Sequence, residues 1–283
     1  MKAIEITDVR KRYRNLQALK GVSFTVERGE FAPVLAFMRE RVHAHGRTLR
    51  TDELMRRATG RELGVGVRTP SLGWSVPEGL QVKGFALQLA HTDDFASVLA
   101  EVSGEGYPTW VAWPGEPLAS REVVHWRVRV ETADGWSGWT AGTLEAGLLD
   151  AGDWTATYLG AEDDGVQAPR LQTTFVLDQP VRSARLYVTA LGVHETSVNG
   201  APVSQDVLAP GWTAYQHRLP VDTYDVTALL REGVNELAAL VGDGWYRGNL
   251  GWGERMHRCH YGTRTALLAQ LEVELADGTR QTV

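Results

Sequence analysis

One short stretch concentrates side chains able to hold a sugar. Gly242-Asp243-Gly244-Trp245-Tyr246-Arg247-Gly248 places two aromatic rings between a carboxylate and a guanidinium, and Trp212 and Trp252 stand before and after it in further Gly-containing loops. Aromatic rings offer apolar faces on which the C–H faces of sugars stack, while heads such as Asp243 and Arg247 hydrogen-bond hydroxyls. The same rings equally suit the core or corner of a β-sandwich, or packing against a neighbouring domain, because tryptophan is highly buried on average. At the level of sequence both uses stay open.

Other reactive residues carry less. His257, Cys259 and His260 do not have a zinc-site spacing and read as a local surface loop. His43 and His45 are two apart and do not share a helix face. Asp93-Asp94 and Glu162-Asp163-Asp164 lie in polar turns with nothing nearby to raise a carboxyl pKa, so they read as solvated loop acids rather than a catalytic pair. Gly242-Asp243-Gly244 does not extend to the dinucleotide pattern and precedes no predicted helix. No catalytic residue, metal or cofactor is therefore expected. The single cysteine, Cys259, excludes an internal disulfide.

These residues sit in a chain of uneven composition. The 283 residues carry a net charge of −6, yet residues 1–63 alone hold 14 Lys+Arg against 8 Asp+Glu. The acidic remainder, 64–283, holds all ten Trp. The basic run Arg10-Lys11-Arg12-Tyr13-Arg14 reads as a solvated strand end rather than a nucleic-acid patch, given that remainder. No apolar run of the ~18 residues needed for a membrane helix occurs. Met1-Lys2-Ala3-Ile4-Glu5 lacks an apolar signal core, which points away from secretion through this end and toward the cytoplasm.

Period-2 alternation dominates the elements that must position the aromatic stretch. Val124, Trp126, Val128 and Val130 alternate with His125, Arg127, Arg129 and Glu131, and Asp134-Gly135 supplies the following turn. Leu186, Val188 and Ala190 alternate with Arg185, Tyr187 and Thr189, while Val193–Val198 runs into the hairpin signal Asn199-Gly200. Asn235–Val241 and Ala266–Leu275 add strands, and the one expected helical turn lies at Val226–Arg231. The pattern predicts a mainly β protein with two antiparallel β-sandwich domains, fibronectin-III-like over 64–150 and jelly-roll-like over 151–283. A short β-hairpin (1–30) and an α-helical segment (31–63) precede them; Val34, Leu35, Met38 and Val42 have helical spacing, and Thr51-Asp52-Glu53 starts a second helix.

Three family resemblances follow from these residues. IEITDVRKRYRNLQALKGVSFTVERGE (4–30) resembles the start of ABC-transporter ATP-binding subunits, but no G-x-x-x-x-G-K-[ST] loop follows, so ATP hydrolysis is excluded. FAPVLAFMRERVHAHGRTLRTDELMRRATGREL (31–63) is similar to the C-terminal tail of thermostable zinc carboxypeptidases without their H-E-x-x-H, so no metallopeptidase is expected. HWRVRVETADGWSGWT, LEAGLLDAGDWTATYLG and, most densely, RLYVTALGVHETSVNGAPVSQDVLAPGWTAYQHRLPVDTYDVTALLREGVNELAALVGDGWYRGNLGW resemble the N-terminal β-domains of bacterial α-L-rhamnosidases across about 64–283.

That last resemblance implies an inverting glycoside hydrolase whose paired acids sit on a helical barrel after the β-domains. No position here matches those acids. The expectation is an accessory portion of such an enzyme, inactive alone and truncated in its last sandwich, with a rhamnose-containing glycan and the missing barrel as its partners. A freestanding carbohydrate-binding module and a scaffold protein that recruits partners through its helical segment are the alternatives. Three broken resemblances in a row point to a spliced or joined chain, against a native extension that only looks borrowed.

Overall fold

The computed structural model describes residues 2–13, 16–27, 61–77, 79–108, 110–161, 168–251 and 257–283. The chain divides into two units, Met1–Leu54 and Met55–Val283. In the first, β1 (Lys2–Tyr13) and β2 (Leu16–Glu27) form an antiparallel hairpin whose register runs from Lys2↔Glu27 to Tyr13↔Leu16 with several irregularities. The last residues of the expected hairpin, 28–30, and the helical segment over 31–60 lie outside the described residues.

The second unit starts earlier than the composition seam suggests. Arg61–Leu63, read from sequence as the end of the helical segment, instead open strand β3 (Arg61–Val65). Its partner is β8 (Thr140–Ala146), so tertiary pairing overrides the local helical signal. The pair is parallel, which corrects the expectation of a wholly antiparallel first domain. The sheet order is β3-β8-β6-β4-β5, with β4 at Gly84–Ala90, β5 at Val98–Glu105 and β6 at Val123–Thr132; β7 (Gly135–Trp136) pairs with the end of β6. As the alternation predicts, Val124, Trp126, Val128 and Val130 are buried, against Phe85, Leu87 and Leu89. Leu72 and Val111, outside the strands, pair in a single antiparallel bridge and join the same buried cluster. On the outer face Arg129 stacks between Trp136 (4.7 Å) and Trp139 (4.5 Å), and Arg127 between Trp139 (4.5 Å) and Phe95 (4.2 Å), a cation–π ladder over β6.

The second domain packs two four-stranded antiparallel sheets face to face. One is β13-β10-β17-β18, with β10 at Val181–Leu191, β13 at Asp222–Asp225, β17 at Ala266–Leu275 and β18 at Arg280–Thr282. The other is β12-β11-β14-β9, with β9 at Arg170–Leu177, β11 at Val193–Val198, β12 at Ala201–Pro202 and β14 at Gly233–Gly242. Leu177, Leu186, Val188, Val198, Val226 and Leu271 fill the space between them. The Asn199-Gly200 turn has both residues at positive φ (52° and 80°), as a two-residue primed hairpin requires.

Between β10 and β11 the chain changes sheets within one residue, Gly192. Its φ is +141°, and a Cβ there would stand 2.3 Å from the Gly242 carbonyl oxygen. Gly192→Ala is expected to destabilise the domain by roughly 1–3 kcal/mol, the scale of one strained backbone position, read as a lowered midpoint in urea.

Charged side chains fasten the two sandwiches together. Arg121 donates to Glu272 through Nε and Nη2 (both 2.5 Å) and to Asp153 through Nη1 (3.0 Å). Arg185 makes a two-pronged contact with Glu145 of β8 (2.6 and 3.0 Å) and meets Asp225 at 3.1 Å. Gln270, fully buried on β17, accepts from the Thr155 and Ala156 amides and donates to the Asp153 carbonyl, tying down the linker. The Asp153 carboxyl is held down at about 2, first by the Ser120 hydroxyl, then by the Asp150 amide and Arg121. A depressed carboxyl stabilises the fold above its unfolded pKa and ceases to do so as pH falls through the folded value. The junction is therefore expected to loosen between pH ~4 and ~2, seen as an acid transition in near-UV circular dichroism that Asp153→Asn removes.

Candidate functional site

The aromatic residues singled out by sequence gather at one end of the second sandwich. β14 ends at Gly242, and Gly244–Arg247 forms a single helical turn that sequence alone does not predict. Gly244 lies against β11: at φ +50°, a Cβ on it would meet Val193 Cγ1 at 2.7 Å. This close approach presents Trp245 and Tyr246 at the sandwich end. The 3-10 turn Thr227–Leu229, which falls where a helical turn is expected, lies at the other end of β11, where the Asn199 side-chain amide donates to the Leu229 carbonyl (2.8 Å).

Trp212 and Trp245, 33 residues apart, stack with ring centroids 6.2 Å apart and planes 3° from parallel. Trp212 is 58% exposed and its Nε1 donates to the Tyr261 hydroxyl (3.1 Å). Tyr215 fills the space behind, 5.1 Å from Tyr246 and 4.9 Å from Tyr261, centroid to centroid. Burial, then Tyr261 and Tyr246, push the Tyr215 phenol above its ordinary pKa; burial, then Tyr246, do the same for Tyr158. Both therefore remain neutral hydroxyls at ordinary pH. Among the described residues the buried core of this domain contains no tryptophan, so neither Trp212 nor Trp245 is a core filler. Trp252 lies outside the described residues.

The charged candidates have a different place. Asp243 accepts from Arg247 Nε and Arg258 Nη2, each at 2.6 Å. Arg247, read from sequence as a hydroxyl ligand, is only 7% exposed and points into the fold. Its observed role is to clamp the turn: its carbonyl accepts the Cys259 amide (3.0 Å), and the Tyr246 carbonyl accepts the Tyr261 amide (3.3 Å). The Arg247 guanidinium is thus buried against Asp243. Asp243, half-buried between two guanidinium groups, contributes charge balance more than a vacant acceptor. Tyr215, Tyr261 and Tyr158 join the cluster only in the fold; the one sequence signal for them is Trp212-Thr213-Ala214-Tyr215, which puts two aromatics in one loop.

A cavity of about 560 Å³ runs along the domain junction, lined by Arg121, Glu145, Arg185 and Glu272 among others. Its charges are already spent on one another in the bridges described above, so it is a joint rather than a binding site.

The α-L-rhamnosidase N-terminal domain family matches residues 179–283, and the Rha78A-like N-terminal immunoglobulin domain family matches residues 52–150. An α-L-rhamnosidase of Formosa agariphila is 37% identical over 190 residues, covering 62% of this chain and 20% of that protein. The native α-L-rhamnosidase of Aspergillus terreus superimposes with a TM-score of 0.68 at 32% identity, covering 79% of this chain and 27% of that one. The Streptomyces avermitilis α-L-rhamnosidase complexed with L-rhamnose has the same fold here (TM-score 0.66, 23% identity, 79% and 39% covered). The chain spans about a fifth of the length of the first curated relative it matches. Both family matches begin after residue 51, beyond the hairpin and most of the segment that follows it.

Proposed function

Because residues 52–150 and 179–283 are the N-terminal domains of α-L-rhamnosidases, we propose that this chain contacts rhamnose-containing glycan through its aromatic surface and does not hydrolyse it alone. The observation that carries the proposal is the nearly parallel Trp212–Trp245 stack, in which Trp212 is 58% exposed and neither ring belongs to the core formed by the described residues. An aromatic pair held flat by a hydrogen bond and by a clamped turn is preorganised, so little ordering entropy opposes the stacking of a sugar ring on it.

Inverting hydrolysis requires an acid and a base roughly 6.5–9.5 Å apart on opposite sides of the glycosidic bond. The acids that the junction and the clamped turn hold are bound to arginines: Glu145 to Arg185, Asp153 and Glu272 to Arg121, Asp243 to Arg247. A carboxylate pinned by a guanidinium is a poor general acid, since the cation favours its ionised form. The second domain then presents glycan, and the ion-paired junction orients it on the first. Incubating the purified chain with an aryl α-L-rhamnoside tests the non-catalytic half of the proposal. No release above the buffer rate is expected; turnover proportional to protein concentration overturns it.

A further inference from the structure

Arg121, Arg185, Arg247 and Arg258 each hold a carboxylate. Arg127 and Arg129 of β6 do not, although they share one face of the strand, two residues and about 7 Å apart. Trp136 and Trp139 cover the two faces of the Arg129 guanidinium, which makes no hydrogen bond or ion pair among the described residues. Arg127, between Trp139 and Phe95, donates only through Nε, to Gln88 Oε1 (2.8 Å), and the Gln88 amide in turn donates to Glu101 Oε2 (2.8 Å). Glu131 is the next residue on this face. Its carboxylate turns toward Gly84, where a Cβ would lie 3.4 Å from Oε2, and it forms no ion pair with Arg129.

Stacking occupies the faces of a guanidinium and leaves its in-plane N–H edge for other partners. Arg129 Nε is buried, but the Nη nitrogens of both arginines are open to solvent and unbonded. Two like charges held side by side without a counter-ion favour an anion between them. The N–H fork matches the paired oxygens of a carboxylate or a sulfate. Rings that hold both side chains in place also reduce the ordering that binding must cost. Beside the fork Trp136 is 46% exposed, a free face for the C–H groups of a ring. An oxyanion and an apolar ring face on one small ligand describe an acidic sugar. A long polyanion such as nucleic acid suits the surface less, because residues 64–283 carry more Asp and Glu than Lys and Arg.

We propose that the Trp136–Arg129–Trp139–Arg127 face binds a sugar that bears a carboxylate or a sulfate group. The surface belongs to the first domain and does not rest on the reading of the Trp212 end of the second. The two differ in the charge they select. Neutral rhamnose lacks the oxyanion that the arginines require and leaves this face empty.

The test follows the Nε–H signals of Arg127 and Arg129 and the indole signals of Trp136 and Trp139 by NMR. D-glucuronic acid, D-glucose 6-sulfate and D-glucose are added separately to the full chain. Saturable shifts are expected with at least one acidic sugar and none with glucose, and the sugar that responds identifies the oxyanion. Binding should weaken about tenfold in Arg129→Gln, and also when salt is raised from about 50 to about 500 mM. Trp136→Ala, at an exposed ring, should weaken it as well and serves in place of Arg129→Gln should that variant lose its folded spectrum. Acetate or inorganic sulfate binding as tightly as the acidic sugars would overturn the assignment to a sugar. An oligothymidylate that binds more tightly than either sugar would overturn it in favour of nucleic acid. Signals that respond to none of these would leave the ladder a purely structural stack.

Discussion

Replacing Arg185 with alanine is expected to destabilise the two-domain unit by roughly 3–5 kcal/mol, the usual consequence of removing one partner of a buried ion pair. Arg185 and Glu145 are 12% and 6% exposed at the side chain and meet through two parallel hydrogen bonds. Without the guanidinium, Glu145 loses its two-pronged partner in a place where water cannot fully replace it, and Asp225 loses its contact at 3.1 Å. Because Glu145 belongs to β8 and Arg185 to β10, the loss falls on the joint between domains as well as on total stability. Unfolding in urea should then show a lower midpoint and a broader or two-step transition as the domains come apart. The double replacement Arg185→Met with Glu145→Leu should recover much of the stability, since a buried pair exchanged for apolar residues of similar size is often neutral. A single variant as stable as the original chain would mean that the joint is held by something else.

Trp212→Ala is expected to weaken binding to immobilised rhamnoside by about tenfold or more, the cost of truncating an aromatic anchor at the centre of a contact. Stability should change little. Trp212 is 58% exposed and outside the core, so the loss is confined to its stack on Trp245 and its bond to Tyr261, about 0.5–1.5 kcal/mol for the ring pair. Trp136→Ala is the matched control, an exposed tryptophan on the first domain whose partner is Arg129. It should leave binding unchanged. Equal retention by both variants would show that the aromatic end of the second sandwich is not where glycan is held.

The strands were legible because their signal is local. Val124, Trp126, Val128 and Val130 face one way for reasons contained in ten residues, and Asn199-Gly200 specifies its hairpin through backbone preference alone. What joins distant segments was not. On β10 the sequence alternates Leu186 and Val188 with Arg185, Tyr187 and Thr189, which reads as one buried and one wet face. Yet Tyr187 and Thr189 are each 1% exposed, and Trp154 of the linker packs edge-on against Tyr187. Burial, then Glu272 and Glu145, push the Tyr187 phenol up to about 12. A half-polar face was covered by a neighbouring domain, which no periodicity announces.

The site was legible in part for the same reason. The residue types of 242–248 pointed to sugar contact, but only the fold brings Trp212 beside Trp245 and turns Arg247 inward. Arg121 and Glu272 are 151 positions apart, and His194 meets Asp222 across two sheets, so neither pair has a spacing to read. Arg61–Leu63 show the opposite limit: a segment with helical neighbours became a strand because β8 offered it hydrogen bonds.

If the aromatic end of the second sandwich holds carbohydrate, titration of the chain with L-rhamnose should change its tryptophan emission. A saturable change at millimolar sugar, present in the original chain and absent in Trp212→Ala, is the predicted result. An emission spectrum that stays constant at those concentrations would contradict it.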